Sequence, residues 1–154
     1  MRFGNPNDSN LVARRVGTIC FGLYVESGFR DDADAAINLP LIGFAKEDDW
    51  IEEAEWIEQH FPGRRFAFRC NSQVAQAAAA RAGFGIALLP RYIAAGDPGL
   101  FEIAYGAPLL ERELWLLIRP DLAKVPRVRV VADYLVELFR RERQRLVGLQ
   151  TSQT

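Results

Sequence analysis

The sequence predicts an α/β protein, and three observations predict it. Residues 65–89 read as a strand, a helix and a strand in succession, the signature of a parallel layer. From residue 125 onward an apolar stripe at helical spacing follows a strand-like run, ELWLLI, at 113–118. The composition, 49% apolar, 25% charged and 11% aromatic, is that of an ordinary globular chain and excludes disordered, collagenous and disulfide-scaffold classes. The 154 residues fit one compact domain or two small lobes, and a chain of this length buries roughly 68–70% of its unfolded surface.

Residues 1–8 contain Gly4, Asn5, Pro6 and Asn7, a turn-rich opening that predicts a surface loop, and 11–15 form a short mixed stretch. Residues 18–25 (TICFGLYV) are β-branched and aromatic enough for a buried strand, which Gly28 is expected to close. An acidic, alanine-rich segment at 30–38 stops before Pro40, ahead of a short strand at 41–44. Over 47–61, Trp50, Ala54, Ile57 and Phe61 recur at steps of four, three and four, one face of a helix, with Asp48 and Asp49 suited to its positive end. Pro62 and Gly63 break that helix. In 65–70 (RFAFRC), Phe66, Phe68 and Cys70 alternate with Arg65, Ala67 and Arg69, so the first set is expected to face the core.

Residues 71–90 (NSQVAQAAAARAGFGIALLP) carry the most information. Asn71 or Ser72 is a good N-cap, the alanine run is strongly helical, and Gly83 is placed to end the helix in the left-handed conformation before a buried strand at 85–89. Parallel sheets bind ligands beyond the carboxyl ends of their strands, where amide hydrogens and the helix dipole converge, and Asn71 and Ser72 occupy that point. Simple capping explains the same two residues, and the roles are compatible. Arg2 and Arg69 offer planar forks to a carboxylate; solvated surface charge is their plainer reading. Beyond this unit, 91–95 predicts a turn of helix, 97–99 a turn, 100–105 and 113–118 strands. A final helix opens near Pro126, with Val128, Val131, Leu135, Leu138 and Phe139 on one side and Arg140, Arg141, Arg143 and Arg145 at its negative end. Residues 150–154 are expected to fray.

Charge and residue counts narrow the chemistry. Nineteen basic and 20 acidic side chains leave a net charge of −1, so no overall field draws a polyanion, and Glu142 interrupts the C-terminal arginines. Cys20, Cys70 and the single His60 are too few for a structural zinc site, and no metal or cofactor is expected. The cysteines are expected to be small buried apolar residues, not a redox pair. His60 has no recognisable partner for base catalysis, the G-x-S-x-G elbow is absent, and Gly83-Phe84-Gly85 follows a helix and precedes a strand, the reverse of a dinucleotide loop. No enzyme activity is expected. Residues 1–10 have no apolar signal core, which makes the cytoplasm the expected compartment. The most apolar window, 74–90, is broken by Gln76, Arg81, Gly83 and Gly85, so no membrane span is expected.

Three segments together resemble the effector-binding (substrate-binding) domain of LysR-type transcriptional regulators. Arg2, Phe3 and Gly4, then DSNLVARR at 8–15, are similar to that family's R-x-G and D-S-x-L-V-A-R-R. Asn71-Ser72, leading through the alanine-rich helix to RAGFGIALLP at 81–90, is similar to its A-G-x-G-I-A-x-L-P run. ELWLLIRP at 113–120, followed by Pro126, Arg127, Val128 and Arg129 and the final helix, completes the likeness. The resemblance implies a fold like type II periplasmic binding proteins, two α/β lobes around a ligand cleft. It implies one lobe from residues 1–23 and 112–147, the other from 24–111, and a tail at 148–154. The numbering starts at what resembles the third strand of the first lobe, so that lobe is expected to be incomplete and the family's helix-turn-helix absent. Glu26-Ser27 stands where relatives often have Ser-Pro at the first crossing.

The expected function is therefore sensing of a small anionic metabolite, with Asn71, Ser72, Arg2, Asn5 and Arg69 as candidate ligand residues. A homo-oligomer is expected, with DNA contacted only through a helix-turn-helix outside this chain. A solute-binding protein of the same fold and a gene fragment without function of its own are the alternatives.

Overall fold

The computed structural model describes residues 2–3, 11–48, 50–106 and 109–148. In chain order the elements are β1 (Arg2–Phe3), β2 (Val12–Glu26), α1 (Ala33–Ile37), β3 (Leu41–Gly43), α2 (Glu52–His60), β4 (Phe66–Arg69), α3 (Gln73–Arg81), β5 (Ile86–Pro90) and α4 (Arg91–Ala94). There follow β6 (Leu100–Ile103), β7 (Glu111–Ile118), α5 (Pro120–Ala123), α6 (Pro126–Arg141) and α7 (Arg143–Val147). The chain divides into two compact units, residues 1–20 with 111–154 and residues 21–110.

In the first unit, β7 pairs antiparallel with β1 on one side and with the opening half of β2 on the other, from Val12↔Ile118 to Cys20↔Glu111. The mixed stretch at 11–15 thus belongs to a strand: Arg14 and Arg15 are exposed side chains on a half-buried ribbon, where polar alternation is tolerated. Ile19, Cys20 and Leu114 are buried here. The stripe on α6 is only half covered, and Val131 remains 58% exposed. The terminal arginines are solvated and paired locally, Arg140 with Glu137 at 2.7 Å and Arg145 with Glu142 at 3.2 Å.

In the second unit, the closing half of β2 pairs antiparallel with β5 and β6. Strand β3 lies parallel to both β5 and β4, as the strand, helix, strand pattern requires. Strand β2 ends at Glu26, and Gly28 lies in a 3₁₀ turn, Ser27–Phe29, two residues beyond that end. Tyr24, Ile42, Ala87, Leu89 and Leu100 form a core with Ala77 and Ala80 of α3. Alanine serves twice: it favours helix, and its small side chain lets α3 settle close on the strands. Gly83, at φ +82, ends α3: its amide donates to Ala80 O at 3.0 Å, and Phe84 N donates to Ala79 O at 3.1 Å, a Schellman closure. Gly85 has a different role, because a Cβ there would lie 2.1 Å from Pro40 O, the carbonyl that accepts from Ile86 N.

Three sequence expectations shift. Arg2–Phe3, within the stretch read as a surface loop, is a strand because it pairs with Leu114 and Trp115 of β7. Trp50 is 74% exposed and precedes α2, whose buried residues are Glu53, Trp56 and Ile57. The 3₁₀ turn Lys46–Asp48 takes the place of the expected first helical turn, while Ile57 and Phe61 are buried as their spacing predicts. Phe68 is exposed, because the β3–β4 register slips between Leu41↔Phe66 and Ile42↔Phe68, which breaks the alternation on this edge strand.

Candidate functional site

In the second unit the parallel strands β3 and β4 finish side by side, and Cys70 N donates to Gly43 O at 3.0 Å to hold the two ends together. The chain then enters α3 through Cys70, Asn71 and Ser72. Ser72 is the N-cap: its Oγ accepts from Ala75 N at 3.3 Å, and its carbonyl accepts the first helical bond from Gln76 N. The amides of Gln73 and Val74 precede that bond and point along the positive end of the helix. Asn71 is exposed beside it and is not the cap.

The entry loop is braced from below. Gln76 is 1% exposed, and its Nε2 donates to Cys70 O at 3.0 Å, six residues back along the chain. Burying an amide is costly unless its polar atoms are satisfied, so this bond fixes where the loop lies. Arg69 ties the other side: Nη1 donates to Phe44 O at 3.1 Å and the guanidinium lies 3.6 Å from the Phe66 ring centroid. Arg69 thus bridges the ends of β3 and β4 and is half-buried, which departs from the solvated-charge reading.

A cavity of about 490 Å³ lies against these strand ends, between α2 and the β3–β4 edge. Arg69, Gln76, Phe66, Glu53 and Glu58 are among its lining residues. Of the candidates among the described residues, Arg69 lines it, while Asn71 and Ser72 sit at the neighbouring helix mouth. Asn5 and the Arg2 side chain lie outside the described residues. Glu53 and Gln76 escaped sequence reading. Glu53 falls one helical turn before the buried Ile57, which the sequence already placed on the inner face.

The remaining reactive groups have structural roles. His60 stacks on Trp56 at 3.9 Å between ring centroids, and its Nδ1 lies 2.8 Å from Trp56 O. A carbonyl only accepts, so Nδ1 carries the hydrogen. Neither Cys20 nor Cys70 forms a disulfide: Cys20 Sγ donates to Glu111 Oε1 at 3.6 Å and Cys70 Sγ to Ser72 O at 3.3 Å. Among the described residues no group of three or more His, Cys, Asp or Glu side chains is placed to hold a metal ion, and no helix is long and apolar enough to cross a membrane.

A mixed sheet with parallel strands ending at a capped helix, beside a cavity with a few converging polar groups, is the arrangement in which α/β domains place their small-molecule sites. The chain belongs to the LysR substrate binding domain family, whose profile matches residues 1–140. It is 27% identical over 139 residues to the Mau operon transcriptional activator of Paracoccus denitrificans, covering 90% of this chain and 47% of that protein. The chain therefore spans about half the length of the curated relative it matches.

Solved structures show the same fold. The regulatory domain of an AphB variant from Vibrio vulnificus superposes with a TM-score of 0.62 at 19% identity, over 90% of this chain and 73% of that one. A full-length LysG from Corynebacterium glutamicum, described with bound effector Arg, gives 0.66 at 17% identity, over 88% of this chain and 48% of that one.

Proposed function

We propose that this chain is the effector-sensing part of a LysR-type transcriptional regulator, and that it binds a small anionic metabolite at the mouth of α3. The observation that carries the reading is the braced entry loop: Ser72 caps α3 while buried Gln76 holds the Cys70 carbonyl. A loop fixed in this way presents amides without paying to order them, the condition for a preorganised anion site. Ser72 Oγ accepts from Ala75 N and still has its own hydrogen to donate to a carboxylate. Asn71 stands beside it, Arg69 adds positive charge at the strand end, and Arg2 and Asn5 belong to the same reading. The relative described with bound effector Arg supports small-molecule sensing as the activity.

Binding acts by population shift: an effector that fits one arrangement of the domain better biases it toward that arrangement by its difference in affinity. In the longer protein, acting in the cytoplasm as an oligomer, this bias reaches DNA through a separate helix-turn-helix. The effector is bound and released without turnover. Calorimetric titration with a panel of small carboxylates tests the reading. Saturable binding that weakens about tenfold in Ser72→Ala is expected, given the worth of one hydrogen bond to a charged group. Unchanged affinity in that variant removes Ser72 from the site, and absence of any carboxylate binding removes the anion reading.

A further inference from the structure

We infer that the groove between β7 and α6, in the first unit, is a binding site for an alkyl carboxylate, an anionic head on an unbranched apolar tail of medium length. At about 530 Å³ it has the size of a small-molecule pocket. Its walls are Leu116 and Ile118 of β7, Leu122 of α5, and Val128, Val131 and Leu135 along α6. Leu114 is buried, but from Leu116 to Ile118 the same strand is only half-buried. Opposite it, α6 carries its apolar stripe through 16 residues with no buried side chain. Both walls lose cover at the same place, so apolar surface stays open to water there and covering it is favourable. From Val128 to Leu135 the groove follows α6 for about 10 Å at the helical rise, a run that suits an extended tail better than a single ring.

Charge at one end of the groove decides the class of guest. Arg119 follows directly on β7 and Arg127 is the second residue of α6, so both guanidiniums line the groove where the two elements connect. Among the described residues no carboxylate lines it. Arg119 is engaged by Asp121, through Nε at 3.1 Å and Nη2 at 2.9 Å. Arg127 makes no hydrogen bond or ion pair among the described residues. Its place is unfavourable by itself, because the positive end of a helix favours acidic side chains, and α6 has none in its first turn. A carboxylate head answers that lone guanidinium, which presents it a planar fork. Arg127 is exposed, so the head stays at the water boundary while the tail lies along the apolar walls.

This site shares no residue with the anion reading at the mouth of α3. The test is an NMR titration of the chain with octanoate and, separately, with acetate and n-octylammonium, following backbone amides. Saturable octanoate shifts at Ile118, Val128 and Val131 are expected, with acetate at least about tenfold weaker for want of a tail. Arg127→Gln is expected to weaken octanoate about fivefold, as loss of one charge-assisted contact requires. Arg127 is exposed, so this variant keeps the fold, and Val131→Asn, at a side chain more than half exposed, is the second probe and is also expected to weaken octanoate. Ser72→Ala is expected to leave the octanoate shifts unchanged, which separates failure of the α3 reading from failure of this one. Octylammonium binding as tightly as octanoate, unchanged affinity in Arg127→Gln, or no saturable octanoate shift at these residues overturns the inference. Sedimentation of the same samples gives the remaining outcome: a dimer that Val131→Asn dissociates and octanoate leaves intact assigns the groove to a second copy and overturns it too.

Discussion

Tyr24 and Glu102 face each other across the antiparallel β2–β6 pair, and the tyrosine hydroxyl donates to Glu102 Oε2 at 2.7 Å. The second carboxylate oxygen is held by Arg91, through Nε at 3.0 Å and Nη2 at 2.6 Å. Gly22 leaves room for this cluster, since a Cβ there would meet Glu102 Cδ at 2.7 Å and Tyr24 Cε2 at 2.8 Å. Tyr24 is 2% exposed, so its hydroxyl must be satisfied inside the protein.

Tyr24→Phe keeps the ring and removes the donor, leaving one oxygen of Glu102 short of a partner while Arg91 remains. Urea unfolding is expected to show a loss of about 2 kcal/mol, the scale of a hydrogen bond to a charged group. A loss below about 0.5 kcal/mol, typical of an uncoupled surface change, contradicts the assigned role.

The same cluster fixes a pH dependence. Burial first, then the hydrogen bond to Glu102 and that carboxylate's charge, push the Tyr24 phenol far above its ordinary value. Because the folded state keeps its proton longer than the unfolded chain, stability is complete below about pH 10 and falls as the pH rises through and beyond that value. Unfolding free energy measured between neutral and strongly alkaline pH is expected to decline less steeply in Tyr24→Phe than in the wild type.

Two glycines that are neighbours in sequence are expected to respond differently to alanine. At Gly85 the added carbon meets the backbone of Pro40, which cannot give way without breaking the bond from Ile86, so Gly85→Ala is expected to cost about 3 kcal/mol or more. At Gly83 nothing lies within 4 Å, and only the left-handed backbone at φ +82 is penalised. Gly83→Ala is therefore expected to cost about 1 kcal/mol, and paired melting curves separate the two positions.

Ser72→Ala removes the cap of α3 and is expected to destabilise by about 1 kcal/mol, read from the denaturation midpoint. Asn71→Ala, which touches no cap, is expected to leave that midpoint unchanged. A reversed order would make Asn71 the cap.

Local signals in the sequence already identify α3. Ser72, the alanine run and Gly83 are a start, a body and a stop that act within a dozen residues, and the flanking strands follow from their apolar runs. The family likeness uses this stretch together with 2–15 and 113–129. Helix α2 was less legible at its start: Ile57 and Phe61 are buried as their spacing predicts, but the buried tryptophan is Trp56 and not Trp50, which lies before the helix. For Phe68, the local alternation is overridden by a register slip that depends on the partner strand.

What the sequence determined by itself was the order and kind of the elements from β4 to β7, since capping, helix propensity and apolar period are set by neighbours along the chain. Only the tertiary structure decided that Gln76 reaches back to brace Cys70, that Arg69 joins two strand ends, and that Glu53 and Glu58 share a cavity with Phe66. These relationships join different elements, and their geometry depends on helix phase and strand register. A one-residue change in either turns a side chain to another face, and packing, not local sequence, selects among those choices.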